Sequence, residues 1–285
     1  MKTYLECVPC IIRQALAAAR FASSDPAVHE NLLYFTLKML NKMDRALSPP
    51  ALGQIIHRRL CELLNVDDPY REAKKHLNRW ALEMLPELRR YVEKSMEPLE
   101  AAARLAIAGN GMDMGLTADL TEKQVERFIV EAMSTSLTGD FEGFRSALSR
   151  AERILFLTDN AGEIVIDRLL IERLPLSAVT VAVRGQAILN DATREDARTA
   201  GIDRLVKVID NGSDAPGTLP DDCSNEFQRH FCESDLIIAK GQGNFESLSE
   251  TPRNIFFLFK VKCPVVVGHA GLPLNSLVVR SVDYQ

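Results

Sequence analysis

Apolar positions recur every three or four residues through the first half of the chain. From Ile154 onward they gather instead into short continuous runs. Leu32, Phe35, Met39 and Met43 form the stripe of an amphipathic helix. Ser48 before Pro49 and Pro50 predicts a helix start, and Leu52, Ile55, Ile56, Leu60 and Leu63 supply that helix with an apolar face. Helical patterning resumes over 69–93, where Pro86 predicts a kink or break. It returns over 97–108 and stops at Gly109, a residue able to take the left-handed cap. Thr121 and Gln124 have the spacing of a capping box for one more helix. No internal repeat stands out.

Beyond Ile154, five β-rich runs are expected at 154–158, 179–183, 205–209, 236–239 and 265–267. Segments of helical composition separate them, among them 164–174, 193–200 and 226–232. Nearly continuous apolar strands alternating with helices predict a mainly parallel sheet covered on both faces. The fold class expected is α/β: a helical N-terminal domain (1–150) on a Rossmann-like three-layer α/β/α domain (151–285). No Pro/Gly/Ser-rich linker marks the boundary, so the halves are expected to pack tightly.

Composition changes this picture only by exclusion. At 285 residues, 46% hydrophobic and 26% charged, the chain can bury two cores. A net charge of −5 argues against a nucleic-acid partner, which calls for a basic face. No run approaches the length of a membrane span, and no secretory signal pattern opens the sequence. Six scattered cysteines suit a reducing compartment, and the expected location is cytoplasmic.

The residues directly after each strand carry the chemistry. In an open parallel sheet all strand C-termini share one edge, and ligands bind in the crevice there. Asp159-Asn160-Ala161-Gly162-Glu163 comes after the first run, and Asn190-Asp191 stands six residues after the second. Asp210-Asn211-Gly212, Lys240-Gly241-Gln242-Gly243-Asn244 and Gly268-His269 come after the other three. Asp159, Asn160 and Asp191 are hard oxygen donors suited to Mg²⁺ or Mn²⁺. Gly162 admits close approach of a ligand to the backbone ahead of a helix N-terminus. Lys240 brings a compact positive charge, and Gly241 and Gly243 free the backbone around a phosphate. Singly, each of these segments also reads as an ordinary turn, and Asp210-Asn211-Gly212 reads equally well as a mobile flap. Their joint placement is what favours a site. His269, Trp80 and the methionines read as structural. Cys7 and Cys10, one helical turn apart, read as thiols packed at the domain interface, with a redox or auxiliary metal role as the alternative.

Four ordered motifs, CVPCIIRQ at the start, DNAGEIVID (159–167), ILNDAT (188–193) and KGQGNFESL (240–248), resemble the metal-dependent damage-control phosphatase family, in particular its compact prokaryotic branch. The resemblance spans essentially the whole chain. It implies a helical domain on a Rossmann-like domain and hydrolysis of small phosphomonoesters, such as sugar phosphates or damaged and surplus phosphometabolites. Mn²⁺, Co²⁺, Ni²⁺ or Mg²⁺ would serve as cofactor. It further implies Asp159, Asn160 and Asp191 as metal ligands, and Glu163 as the group that contacts substrate or orients water. Lys240, Gly241, Gly243 and Asn244 would hold the phosphate or the rest of the substrate, with Asn190, Asn110 and Asp113 also facing it. The RTxK element of the eukaryotic branch has no counterpart here, the nearest stretch being Thr251-Pro252-Arg253. Direct attack by water is expected, with Glu163 or Asp159 aiming or deprotonating it and Lys240 neutralising the transferring group. The rival, Asp159 as nucleophile, is disfavoured because Ala161 stands where an aspartyl-phosphate enzyme of the DxD kind carries its second aspartate. Two other readings are a metal- or metabolite-binding sensor without turnover and a Rossmann-type methyltransferase. The first βα turn lacks the glycine-rich pattern that the second of these needs.

Overall fold

A computed structural model of the chain describes residues 1–112, 130–135 and 137–281; Asp113 and the Thr121/Gln124 capping box lie outside the described residues. Five helices come first: α1 (Cys7–Ala22), α2 (Pro26–Leu40), α3 (Pro49–Leu64), α4 (Arg71–Lys94) and α5 (Pro98–Gly109). Proline opens α2, α3 and α5, where its fixed φ fits and its missing N–H costs nothing. Pro86 lies inside α4 without ending it. Leu77, Ala81, Leu85, Leu88 and Val92 bury one face of that helix on both sides of the proline, and this packing holds the helix together. In α5, Ala101, Ala102, Ala103, Ala106 and Ala108 are all buried, and such small side chains let neighbouring backbones come close.

The sheet comes next. Its strands are β1 (Thr138–Gly139), β2 (Ile154–Leu157), β3 (Val179–Val183), β4 (Lys207–Asp210), β5 (Leu236–Lys240), β6 (Ile255–Lys260) and β7 (Leu277–Ser281), in the spatial order β1-β7-β6-β5-β2-β3-β4. All neighbours run parallel except β6 and β7. Between these strands come α6 (Phe141–Arg150), α7 (Glu163–Ile171), α8 (Arg194–Thr199), α9 (Asn225–Glu233), α10 (Gly241–Leu248) and α11 (Pro264–Ala270). The mixed α/β class with a mainly parallel sheet is as the apolar runs predict.

Strand β2 shows why the sheet is buried twice. Its Ile154 and Phe156 enter a core shared with α4, α5 and α7, whereas Leu155 and Leu157 enter one shared with α9, α10 and α11. A third core joins α1, α2 and α3. The hydrophobic interior therefore groups α4 and α5 with the sheet and leaves α1–α3 as a separate bundle. That bundle is fastened over the strand C-termini. Gln54 donates to Asp214 (2.6 Å) and Asp222 (2.8 Å), Arg58 forms a forked pair with Asp214, and Gly53 gives room to Pro216. Among the described residues no helix is long and apolar enough to cross a membrane.

Three strand expectations need correction. The run 265–267 is not a strand but the body of α11. Pro264 cannot give a ladder N–H, and the Cys263 thiol caps the helix by accepting from Val266 N. Gly268 and His269 thus lie within a helix, where His269 meets Ser249 and the edge of Phe245. The third strand begins at Lys207, because Leu205 closes a 3₁₀ turn over Ile202–Arg204. Strands β6 and β7, which complete the sheet beside β5, have no counterpart among the five expected runs.

Candidate active site

The chain order of the strands reverses on either side of β2, whose neighbours are β3 and β5, and the loops leaving these three strands meet there. Backbone bonds stitch the first two loops together. Ala161 N donates to Asn190 O (2.8 Å) and Ala192 N to Asp159 O (2.7 Å), and Asn160 and Asp191 form an antiparallel bridge. Asp159, Asn160, Asn190 and Asp191 are brought side by side, all buried. The third loop touches the first at Gly241, whose φ is +79°. A Cβ there would lie 1.8 Å from Asp159 Oδ2, so only glycine lets β5 turn into α10 at this point.

Three amides and four carboxylates organise the interior. Asp159 Oδ2 accepts from Asn110 Nδ2 (2.6 Å) and Asn160 Nδ2 (2.9 Å). The same two amides donate to Glu163 Oε2, at 3.0 and 3.1 Å. Asn244 bridges two strand ends by donating to Thr158 O and Lys240 O. Lys240 is fully buried, and its ammonium donates to Glu163 Oε1 (2.6 Å), Asp167 Oδ1 (2.5 Å) and Ala106 O (2.9 Å). An ammonium has three protons, and all three are taken.

A second buried cation lies on the other side of Asp159. Arg184 stands directly after β3 and donates through Nε to Asp191 Oδ2 (2.7 Å). Its terminal nitrogens make only long contacts, to Thr218 Oγ1 (3.3 Å), Asn244 Oδ1 (3.4 Å) and Asp159 Oδ1 (3.8 Å).

The electrostatics are unbalanced. Among the described residues, Asp159, Glu163, Asp167 and Asp191 have Lys240 and Arg184 as their buried ion-pair partners. Burial, then the Glu163 and Asp191 carboxylates, push Asp159 well above the usual carboxylate range, opposed by Arg184 and Lys262. Burial likewise raises Asp167 to about 7 against the pull of Lys240. Burial would lower the Lys240 ammonium, but Asp167 and Glu163 hold it above its ordinary value. Orphaned polar atoms lie in the same place. Among the described residues, both amide atoms of Asn190 and Oδ1 of Asn110 are buried without a partner. Beside the site, a cleft of about 1070 Å³ opens between α3, α4 and α8, with Asn78, Arg79, Gln186 and Thr193 in its wall.

Comparison with known proteins places the chain in a family. Residues 3–278 match the family described as the damage-control phosphatase ARMT1-like domain. A damage-control phosphatase of Pyrococcus horikoshii is 35% identical over 98% of this chain and 97% of its own length. One from Archaeoglobus fulgidus is 33% identical over 99% of this chain and 100% of its own. The crystal structure of a DUF89 family protein from Pyrococcus horikoshii superposes with a TM-score of 0.89 at 33% identity, covering 99% of this chain and 100% of that one.

The chain belongs to the ARMT1-like damage-control phosphatase family. Membership supports a phosphatase, and two of the four sequence motifs fall on the stitched strand-end loops, with a third against them at Gly241. The geometry nevertheless departs from expectation in three places. Lys240 is brought to the site with its donors already spent on carboxylates and a carbonyl, so it is not poised to clamp a phosphate. The Gly162 N–H is held by the Asn78 side chain at 2.7 Å instead of being open to an anion. Gly243 is required by packing, because a Cβ there would meet Pro216 O at 2.3 Å. Asp210, for which both readings stood open, pairs with Arg194 and serves a turn.

Sequence reasoning missed Arg184, Asp167, Asn78 and Thr218. The first two had a signal: Arg184 is the residue directly after a strand, and Asp167 lies four residues beyond Glu163 on the same helix face. Asn78 and Thr218 had none, since their neighbours arrive from far along the chain.

Among the described residues no three His, Cys, Asp or Glu side chains are placed to hold a metal ion. The set expected in this family is leaner, two carboxylates and an amide. Hard oxygens at Asp159, Asn160 and Asp191, the surplus negative charge and the orphaned Asn190 amide fit a divalent cation there.

Proposed function

We propose that this protein hydrolyses small phosphomonoesters, sugar phosphates or damaged and surplus phosphometabolites of the cytoplasm, with a divalent cation at Asp159, Asn160 and Asp191. The observation that carries the reading is the stitched pair of strand-end loops, whose buried carboxylates exceed the buried cations around them. When bound, Mn²⁺, Co²⁺, Ni²⁺ or Mg²⁺ would polarise a phosphate oxygen and a water molecule. The chain's own groups do the rest. Asn110 and Asn160 hold the Asp159 and Glu163 carboxylates side by side. Glu163, held from the other side by Lys240, is the group to orient the attacking water and take up its proton. The neighbouring cleft is large enough to take the non-phosphate part of a metabolite.

The test is phosphate release from a panel of sugar and cofactor phosphates with each metal or with EDTA, for wild type and Asp159→Ala side by side. Metal-dependent turnover that the substitution abolishes supports the reading. Tight metal binding without turnover of any phosphoester would replace it with a sensor on the same fold.

A further inference from the structure

We propose that Arg184 is the cation that binds the transferring phosphoryl group, the part expected of Lys240; the assignment rests on the phosphatase reading above. Of the two buried cations at the site among the described residues, Arg184 is the one with donors to spare. Lys240 has three short bonds, two to carboxylates, and no fourth proton. Arg184 is anchored at one point, Nε on Asp191 (2.7 Å), which fixes the plane of the guanidinium. The terminal nitrogens are held weakly, at 3.3 Å and beyond. Their neutral neighbours are already satisfied, because Thr218 Oγ1 donates to Asn244 Oδ1 at 2.8 Å. Releasing the contacts to Thr218 and Asn244 therefore strands neither of these groups. The fork can turn its terminal N–H donors to two phosphate oxygens, the planar recognition to which a guanidinium is suited.

Burial strengthens the argument. Arg184 is 3% exposed, in the layer of side chains that also holds Asp159 and Asp191. A guanidinium taken out of water at such cost is retained where its charge is used. Segments after three strands converge on it: its own loop after β3, Thr218 in the loop after β4 and Asn244 in the first turn of α10 after β5.

The test is calorimetric titration of Mn²⁺, and then of inorganic phosphate onto the Mn²⁺-loaded protein, for wild type, Arg184→Met and Arg184→Lys. Arg184→Met should weaken phosphate binding by about 10- to 100-fold, the loss of a charge-assisted pair. Mn²⁺ binding should be unchanged or tighter, because a positive charge beside the two carboxylates is gone. Arg184→Lys keeps the charge and the fold but loses the fork, and should still bind phosphate at least several-fold more weakly than wild type. Unchanged phosphate affinity in Arg184→Met overturns the assignment. So does a joint loss of Mn²⁺ and phosphate binding in both variants, which would make Arg184 a prop for Asp191. If wild type binds both ligands yet turns over no phosphomonoester, the phosphatase reading fails, and the Arg184 assignment is still decided by the phosphate titration.

Discussion

His57 shows how a single side chain on α3 reaches the site loop. Its Nε2 accepts from Leu189 N at 3.3 Å, and Leu189 stands at φ +45°, a conformation leucine adopts only where its surroundings impose it. Burial lowers the imidazole to about 4. The unfolded chain, with an ordinary histidine near 6.5, binds this proton more readily than the folded one. The His57 contribution to stability is therefore full above about pH 6.5 and falls as pH drops toward 4, by up to about 3 kcal/mol. The difference in urea unfolding free energy between wild type and His57→Gln, which keeps an acceptor, should change by that amount across the range, and a difference independent of pH would contradict the account. Gly241→Ala is a harsher change: positive φ and a Cβ driven into Asp159 predict a loss of about 1–3 kcal/mol and of divalent-cation binding together. A variant that keeps wild-type Mn²⁺ affinity would contradict that account. Lys240→Met leaves Glu163 and Asp167 buried without their cation, a cost of about 3–5 kcal/mol in unfolding free energy. A phosphate clamp at the surface of the site would cost far less. At this scale the residue types of the site were legible, because Asp159, Asn160, Asp191 and Lys240 end strands or lie in the loops that follow them. Which atoms were still free was not, since Lys240 and Arg184 look alike in a sequence.

Helices α4, α7 and α8 are joined by one amide. Asn78 accepts from Gly162 N, at the start of α7, and donates to Asp196 Oδ1 (2.7 Å) in the capping box of α8. Asn78→Ala would leave a buried N–H unbonded and a buried carboxylate short of a partner. The expected cost is about 2–4 kcal/mol, with loosening of the 159–163 loop. Amide exchange at Gly162 should speed up in this variant, and exchange no faster than in wild type would show that Asn78 does not hold the loop. Helix α8 was legible as the helical segment 193–200, and α7 as 164–174. Strand β6 (IFFLFK) was not: six residues with no polar alternation look the same in a buried strand and a buried helix, and only pairing with β5 and β7 decides between them. The valines of α11 erred in the opposite direction, because β-branched composition is a weaker constraint than a proline and a cap at the preceding positions.

For the whole molecule, the concentration of negative charge at the site has a cost in stability. Asp159→Asn keeps an acceptor for the Asn110 and Asn160 amides while removing one of four clustered carboxylates. In EDTA the variant should melt several degrees above wild type. Mn²⁺ at about 100 times its dissociation constant should stabilise wild type by about 3 kcal/mol and the variant hardly at all. Scanning calorimetry with and without EDTA checks both, and equal responses to Mn²⁺ would count against Asp159 as a ligand.

The sequence by itself determined the alternation of strands and helices after residue 154, the family, and the loops that carry Asp159, Asn160 and Asp191. Those properties are local, since strand runs, helix starts and strand-end residues are written in neighbouring positions. Only the tertiary structure decided which strands flank β2, that α4 and α5 share the core of the sheet, and that Asn110 meets Asp159 and Glu163 from the helical side. The same holds for the division of labour between the two buried cations. A side chain's remaining hydrogen-bonding capacity depends on partners brought from distant parts of the chain, Ala106 to Lys240 and Thr218 to Arg184, and no spacing along the sequence encodes that balance.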